Sequence, residues 1–345
     1  MTSLHIEDLS NDPQRWSDTL NDFPLAGVGH LHEWGRIISR SYGWKSLYLS
    51  AVNGSEIRGL LPLTFLKSKL FGRVLVSMPY LNDGGILSKD PETEKFLWSE
   101  ALAMMKNESM SRIELRHTKN MKLGIIPRTD KISMITDLSG GEDNVWMGKL
   151  HSNVRNKVRK SKKMGVEIKE GPEWLKAFYN MHVMNMQELG SPAHSLRFFK
   201  EIISILKDRI RLYIALLEDE VIGGKIVCYF KDAVYFLWVS SPIRYRKYAA
   251  VSLMDWHAIE DAIKRGLNYC DFGRSTIDST HYQFKKKWGA EVRQLYWQVY
   301  PQNNGDNDKL RSETDKLNRL SRIWKKLPHT LARIIGPWLR GGLPQ

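Results

Sequence analysis

The residues best suited to chemistry stand together in one segment of the second half of the sequence. Asp271 follows an apolar, strand-like run, and Gly273 permits a turn directly after it. Arg274 and Ser275 are then expected at the mouth of a strand, where a guanidinium can hold a carboxylate or phosphate through two hydrogen bonds. The alternative is structural: Asp271 and Arg274 pair with each other and hold the turn.

Three consecutive lysines continue this segment. Lys285 and Lys286 belong to that run, and Trp288 follows it closely. Cations beside an aromatic ring suit an anionic or sugar-bearing ligand. The pattern therefore predicts that Lys285, Lys286 and Trp288 bind substrate together with Arg274 and Ser275.

The positive charge of the chain is concentrated in two places. The net charge is +14, and residues 149–163 and 309–340 each carry a net +7, so the remainder is balanced. In the first of these segments Arg155 and Arg159 recur at helical spacing, where they can meet the diphosphate of a lipid-linked sugar, or tRNA. Binding of tRNA is the weaker hypothesis because no stacking aromatics alternate with the cations. The alternative for each segment is a solvated helix face.

The second basic segment forms a separate tail from residue 303 onward. Its apolar residues are Leu317, Leu320, Ile323, Trp324, Leu327, Leu331, Ile334, Ile335, Trp338 and Leu339. Pro328 and Pro337 divide it into short helices, with basic residues on the other face. This pattern predicts that residues 317–340 lie on an anionic membrane surface. Packing on the protein's own core is an equal alternative.

Composition limits the class of protein. The chain has 345 residues, the size of about two domains, and 42% apolar residues exclude wholesale disorder. No stretch approaches the roughly 18 apolar residues of a membrane span, and the first residues lack the apolar core of a secretory signal. Two cysteines, Cys228 and Cys270, are too few for a disulfide framework or a cysteine-rich metal site. We therefore expect a cytoplasmic protein without a metal centre.

The elements that must position these residues occur in a similar order in each half. Hairpins are predicted within residues 44–65 and 210–230, and each is followed by another strand, a helix and a further strand. Residues 295–300 are predicted as the last strand of the second half. The pattern indicates a mixed α/β fold in which strand ends form a binding cleft. We assign the domains to 1–144 and 145–302, followed by the basic amphipathic tail 303–345.

This layout and five segments resemble the FemAB-like branch of the GNAT acyltransferase superfamily, nearest to FemAB-related proteins of exosortase/PEP-CTERM systems. The segments are SKLFGRVLVSMPYLNDGG (68–85), RIELRH (112–117), LHSNVRNKVRKSKKMG (150–165), FYNMHVMNMQELGSP (178–192) and DFGRSTIDSTHYQFKKKWGA (271–290). The resemblance implies two tandem GNAT-like domains with a cleft between them. It also implies acyl transfer, from aminoacyl-tRNA or acyl-CoA, and no tightly bound cofactor.

The sequence departs from the family pattern at the expected donor site. GNAT enzymes bind a pyrophosphate on a glycine-rich turn between a strand and a helix. The equivalent residues here are Arg246, Ala249 and Ala250, without the glycines that allow close backbone approach. The alternative is an ordinary basic helix start, and the departure favours a donor other than CoA. Two further departures are Thr280-His281-Tyr282, where Gly-Thr-Tyr is usual, and the lack of a projecting helical arm for tRNA.

Transfer to an amine or hydroxyl requires somewhere for its proton to go. The candidate catalytic residues are Asp271, Asp278 and Tyr282, with His281 nearby, and Asp83 in the first domain is predicted to bind substrate. Each can instead be a turn former, and the proximity of two bound substrates can supply most of the rate. Neither cysteine has an identifiable histidine partner, so no covalent intermediate is predicted.

The sequence thus predicts an acyltransferase acting on a cell-envelope polysaccharide or peptidoglycan precursor at the inner face of the cytoplasmic membrane. The precursor would be anionic and could be lipid-linked. The alternative is a non-catalytic GNAT-like module that binds an anionic glycan precursor or a membrane partner. The sequence does not predict the oligomeric state.

Overall fold

The computed structural model describes residues 3–68, 72–301 and 320–343. These residues form two compact units. The first comprises the described residues up to Lys131 together with 294–301 and 341–343, and the second comprises 132–293 and 320–340. Within these ranges no helix has both the length and the apolar character needed to cross a membrane.

Both units contain strands and helices. The strands are β1 His5–Asp8, β2 Lys45–Asn53, β3 Glu56–Ser68, β4 Gly72–Val76, β5 Leu87–Ser88, β6 Arg112–His117, β7 Ile132–Asp137, β8 Val166–Glu170, β9 Ile210–Leu217, β10 Glu220–Phe230, β11 Ala233–Ser240, β12 Tyr269–Ser275, β13 Glu291–Gln294 and β14 Tyr296–Tyr300. The described helices of seven or more residues are α1 Pro13–Thr19, α2 Glu33–Tyr42, α3 Pro91–Asn107, α4 Ser152–Lys163, α5 Leu175–Leu189, α6 Leu196–Leu206, α7 Ala250–Lys264, α8 Thr280–Lys286 and α9 His329–Gly341. The predicted mixed α/β class is confirmed.

The first unit contains a seven-stranded sheet in the order β1-β2-β3-β4-β6-β14, with β5 paired to β3. Its central hairpin, β2–β3, turns at Gly54. The φ of Gly54 is 62°, a value that glycine adopts without strain. The apolar side chains of Leu49, Leu61 and Leu63 are buried against Leu97 of α3. In this sheet β4 and β6 run parallel for only three residue pairs, from Val74↔Arg112 to Val76↔Glu114.

The second unit contains a seven-stranded sheet in the order β13-β7-β12-β11-β10-β9-β8. Helix α7 joins β11 to β12 and buries one face, including Leu253, Trp256 and Ile259, in the core. The two strands are parallel over three residue pairs ending at Tyr235↔Asp271, although β11 continues to Ser240 and β12 to Ser275. The strands therefore part after Tyr235 and Asp271: beyond that point β11 stays paired with β10, and β12 with β7, but not with each other.

The limits of the units differ from those predicted at 144/145 and 302/303. Strand β7 pairs with β12 of the second sheet, so the second unit begins at Ile132. Strand β14 pairs antiparallel with β6, from Tyr296↔His117 to Tyr300↔Ile113, so the strand expected to end the second half belongs to the first sheet. Local periodicity identifies a strand but not its partner. The start of the predicted tail, residues 303–319 including Leu317, lies outside the described residues.

Candidate functional site

The parting of β11 and β12 is surrounded by charged and polar side chains of the second unit. Directly beyond the paired stretch, the rings of Phe236 and Phe272 lie edge to face with centroids 4.9 Å apart. These rings form the apolar floor beneath the parted strands. Four elements contribute polar side chains here: Lys225 of β10, Asp271 of β12, Asp255 of α7 and Lys285 of α8.

A buried ion pair lies on the floor of the site. Lys225 of β10 contacts the carboxylate of Asp255 of α7, and the two residues are 2% and 1% exposed. The Lys225 Nζ atom is also 3.3 Å from the centroid of the Phe236 ring. Burial lowers the pKa of Lys225 and raises the pKa of Asp255, while the attraction between them opposes both shifts. This pair was not predicted from the sequence, although a lysine within an apolar strand is a signal of it.

Asp271 holds the turn at the end of the paired stretch. Its Oδ1 atom accepts hydrogen bonds from Ser133 Oγ and from the backbone N–H of Gly273, each at 2.6 Å. Gly273 has a φ of 73°, which explains the need for glycine. Burial raises the pKa of Asp271, although these hydrogen bonds and the charge of Lys285 lower it in part.

Lys285 of α8 reaches back to the same turn. Its Nζ atom donates to the carbonyl oxygens of Gly273 and Arg274, both at 2.8 Å. Burial lowers the pKa of Lys285 to about 8, partly opposed by the charge of Asp271. The ammonium group is therefore held at the backbone of Gly273 and Arg274.

The other predicted residues of this segment occupy different environments. Ser275 is 5% exposed, and its Oγ atom has no hydrogen-bond partner among the residues that the structure describes. Trp288 is fully buried between Phe272 and Phe284, where it serves packing rather than as an exposed platform. Lys286 is exposed on α8.

The other two predicted catalytic residues lie at the start of α8. Asp278 is exposed with a φ of 62°, as expected for a turn former. Tyr282 packs partly against the core, and its backbone N–H donates to Ser279 Oγ in the cap of the helix. Among the three predicted catalytic residues, Asp271 alone has described polar contacts at the parted strands.

The predicted donor junction connects β11 to α7. Arg246 is exposed on a short 3₁₀ turn, Ala249 has a φ of 54°, and Ala250 begins α7. The N-terminus of α7 has no side-chain cap and no acidic residue in its first turn. Partial burial lowers the pKa of His281, and the charges of Lys285 and Arg246 lower it further, so Arg246 acts on the same region as α8.

The two arginines predicted to bind substrate on α4 have structural contacts. One guanidinium nitrogen of Arg155 donates to the carbonyls of Trp146 and Leu150. The Arg159 guanidinium lies 5.6 Å from the Trp146 ring, which in turn packs against Trp256 of α7. These contacts fasten residues 144–150 to α4.

Asp83 belongs to the first unit, where it joins two loops. It is 8% exposed, and its Oδ1 atom accepts a hydrogen bond from the backbone N–H of Gly29 at 2.7 Å. A Cβ atom at Gly27 or Gly29 would overlap the Asp83 carboxylate, so only glycine fits at both positions. His30 completes the junction, because its Nδ1 accepts from Gly27 N at 3.1 Å and its Nε2 lies 2.9 Å from the carbonyl oxygen of Gly85. The sequence signal that was missed is the Gly-Val-Gly-His run.

A small pocket next to this junction contains the side chains of Arg116, His117 and Lys119 together with Asp83 and His30. Arg116 is 1% exposed and donates to the carboxylate of Glu114 and to the carbonyls of Met78 and Leu81. Burial lowers the pKa of His117 to about 3, so this imidazole is neutral at physiological pH. Arg116, Asp83 and His30 are thus each hydrogen-bonded to other groups of the first unit.

Comparison with known proteins identifies the fold. The family model described as an acetyltransferase (GNAT) domain matches residues 148–286. The structure of FemX is similar over 84% of this chain and 96% of its own, with 16% identity and a TM-score of 0.66. A tandem GNAT protein from the clavulanic acid biosynthesis pathway covers 87% of this chain and all of its own, with 10% identity and a TM-score of 0.57.

A third similar structure is that of L-PGS from Bacillus licheniformis. It covers 92% of this chain and 98% of its own, with 12% identity and a TM-score of 0.59. No curated protein matches the sequence. Residues 148–286 of the second unit are therefore similar to a GNAT acetyltransferase domain, and the chain shares the mixed α/β fold of FemX and of the tandem GNAT protein, as the sequence predicted.

Proposed function

We propose that this protein transfers an acyl or aminoacyl group from an anionic donor to a cell-envelope precursor, at the parted strands of the second unit. The observation that carries the proposal is the N-terminus of α7. The N–H groups of Ser252 and Leu253 donate to the carbonyl of Ala249, but no side chain caps the terminus and no acid stands in its first turn. Such a terminus favours an anion, and Arg246 adds a positive charge beside it.

The charges around the parted strands support the same assignment. Arg274 and Lys285 lie at the mouth of the strands, and the unpartnered Ser275 Oγ is available to a ligand within the described structure. Both acyl-CoA and aminoacyl-tRNA carry phosphates that suit Arg246 and α7. The acyl carbonyl of either donor would then extend toward Arg274 and Ser275.

The transfer step needs few groups from the protein. The acceptor nitrogen or oxygen bonds to the acyl carbon, the bond from that carbon to the donor's sulfur or ribose oxygen breaks, and the acceptor proton passes to a base. Asp271 is our candidate base because burial raises its pKa, which improves a carboxylate as a proton acceptor. Lys285 offsets negative charge that develops on the carbonyl oxygen. Binding both substrates in one orientation supplies a further share of the rate.

The acceptor class rests on the family resemblance and on the FemX-like fold. An anionic acceptor, whether lipid-bound or free, would suit the basic surface of the chain, and the exosortase-related subgroup remains a prediction. The sequence-based assignment of Asp278, Tyr282, Lys286, Arg155, Arg159 and Asp83 to substrate or catalysis also remains a prediction.

The test begins with the donor. Calorimetry with acetyl-CoA distinguishes a CoA-dependent enzyme, which binds at micromolar concentration, from one that uses charged tRNA, for which transfer of a radiolabelled amino acid is the assay. Arg274→Ala should abolish transfer, and Lys285→Met should reduce it strongly. Lys287→Ala removes a neighbouring exposed lysine and is the matched control.

The non-catalytic alternative has one observation in its favour. Ala249 and Ala250 carry side chains where a phosphate-binding turn usually has glycine, so the backbone is less accessible to a pyrophosphate. If neither donor supports transfer and Arg274→Ala weakens only the binding of an anionic glycan precursor, the chain is a binding module and the proposal is overturned.

A further inference from the structure

The C-terminal helix α9 is fastened to the second unit by one face. Arg340 Nε donates to His194 Nε2 at 3.0 Å, and the Arg333 guanidinium lies 5.7 Å from the Tyr179 ring. Just before the helix begins, the carbonyl of Leu327 accepts a hydrogen bond from Gln187 at 2.5 Å. The helix therefore has a defined orientation on α5 and on the loop that follows it.

The face of α9 in contact with the protein carries small residues. Ala332 is 1% exposed, and Gly336 is buried so closely that a Cβ atom there would lie 3.3 Å from the backbone nitrogen of Ala193. Trp324, in the helical turn before α9, is 8% exposed and contacts the same position. The predicted alternative of packing on the protein's own core therefore applies to this face.

The large apolar residues of α9 point the other way. Leu331, Ile334, Ile335 and Trp338 are 44%, 73%, 38% and 66% exposed. Their spacing of i, i+3, i+4 and i+7 places them on a single stripe along the helix. A helix that buries alanine and glycine while exposing isoleucine and tryptophan reverses the usual arrangement, and a contiguous exposed stripe of this kind indicates an interaction surface.

The charges around this stripe indicate what covers it. Residues 320–343 contain five Lys/Arg and no Asp/Glu. Arg322, Lys325 and Lys326 are exposed close to Ile323, which is itself 54% exposed. Basic side chains beside exposed tryptophan and isoleucine match the headgroups and the acyl boundary of an anionic bilayer.

We infer that α9 and residues 320–326 form a surface that docks the protein on an anionic phospholipid bilayer, with Ile334 and Trp338 inserted and Lys325 and Lys326 on the headgroups. The helix lies in the plane of the interface because it is too short to span the membrane. This inference is independent of the proposed transfer chemistry, since none of its residues belongs to the parted strands of the second unit.

Sedimentation with vesicles tests the surface. The full chain should bind vesicles in which about a third of the lipid is phosphatidylglycerol, and bind phosphatidylcholine vesicles at least about tenfold more weakly. The exposed double variant Ile334→Ser/Trp338→Ser should lose about tenfold or more of this affinity. Lys325→Gln/Lys326→Gln should weaken binding and reduce its dependence on salt.

A matched variant controls for the loss of any exposed apolar residue. Ile126→Ser/Val292→Ser removes two side chains that are 78% and 50% exposed elsewhere, and it should bind vesicles like the natural sequence. Without vesicles, the rate of transfer to a water-soluble acceptor should be equal in the natural sequence and in the three double variants. This readout separates the test from the proposed function. The inference is overturned if the natural chain ignores anionic vesicles, if Ile334→Ser/Trp338→Ser binds them equally, or if that variant instead converts a dimer of this chain to a monomer.

Discussion

Each of the two units contains a pair of parallel strands that pair over only three residue pairs. In the first unit the pair is β4 and β6, and in the second it is β11 and β12. A buried cation is present near both. Arg116 of the first unit has a carboxylate, two carbonyls and the Trp297 ring around it, whereas Lys225 of the second has Asp255 and the Phe236 ring. The first unit thus surrounds its cation with more of its own groups.

The helices that precede the second strand of each pair differ more sharply. Helix α3 of the first unit begins at a cap in which Asp90 accepts from the Thr93 N–H at 2.8 Å, and Glu92 and Glu94 stand in its first turn. Its terminus is therefore occupied by carboxylates of the protein. Helix α7 of the second unit has neither a side-chain cap nor an acid there. Of these two termini, that of α7 lacks a carboxylate of the protein, and for this reason we propose that the donor binds in the second unit.

The largest effect should come from the buried cations. Replacing Arg116 by Met leaves Glu114 buried and unpaired, and we expect a loss of about 3–5 kcal/mol in the free energy of unfolding. Lys225→Met should cost less, because Lys225 has fewer partners. Calorimetric unfolding, which follows each unit separately, measures both.

A double variant checks the physical reason. Lys225→Met/Asp255→Leu removes both charges and should recover most of the stability lost in Lys225→Met, since no unpaired carboxylate remains. Equal losses in the single and double variants would show that packing, and not charge, decides the effect.

The next effect concerns the role of Asp83. If this residue mainly joins the loops at 27–30 and 79–85, Asp83→Ala should lower stability by about 1–3 kcal/mol, because the Gly29 N–H loses its acceptor in a buried place. Asp83→Asn keeps an acceptor oxygen and should lose less. Thermal unfolding gives the result. Loss of transfer in Asp83→Asn with unchanged melting temperature would instead favour the sequence-based assignment of Asp83 to substrate binding.

These two units also show what the sequence can and cannot predict. Local pattern predicted a turn at Gly273 after a strand and a helix that begins near Ala250, because each of these features depends on adjacent residues. Periodicity also predicted both hairpins, since alternation and the turn at Gly54 are local features.

Contacts between distant residues were beyond such reasoning. Lys225 and Asp255 meet only because β10 packs against α7, and Asp83 meets Gly29 across 54 positions. Residue type alone also misleads, because an arginine or tryptophan suits a ligand and a protein interior equally. Trp288 was predicted to bind substrate but is fully buried. Arg155 donates to backbone carbonyls, and its role in substrate binding stays a prediction.

A smaller effect, on donor affinity, is expected when an acidic residue is placed at the N-terminus of α7, as in α3. Ala249 has a left-handed backbone conformation that aspartate and asparagine tolerate well. Ala249→Asp places a carboxylate at the helix terminus, and we expect donor affinity to fall about tenfold because two anions then compete for one positive terminus. Ala249→Asn has the same shape without the charge, so calorimetry on the pair separates charge from size. Equal affinities in the two variants would contradict an anion site at α7.

The smallest effect is a dependence of donor binding on pH in the second unit. Burial lowers the pKa of Lys285 to about 8, so its ammonium is present below that pH and is lost as the pH rises through it. If Lys285 attracts the donor, affinity should weaken above about pH 8, and Lys285→Arg should remove this dependence because guanidinium stays charged. Affinity is the appropriate measurement, since an acceptor amine becomes more nucleophilic over the same range and would mask the loss in a rate. A donor affinity that stays constant through pH 8 in the natural chain would show that Lys285 only holds the carbonyls of Gly273 and Arg274. Lys285 would then have a structural role, as Arg116 has in the first unit.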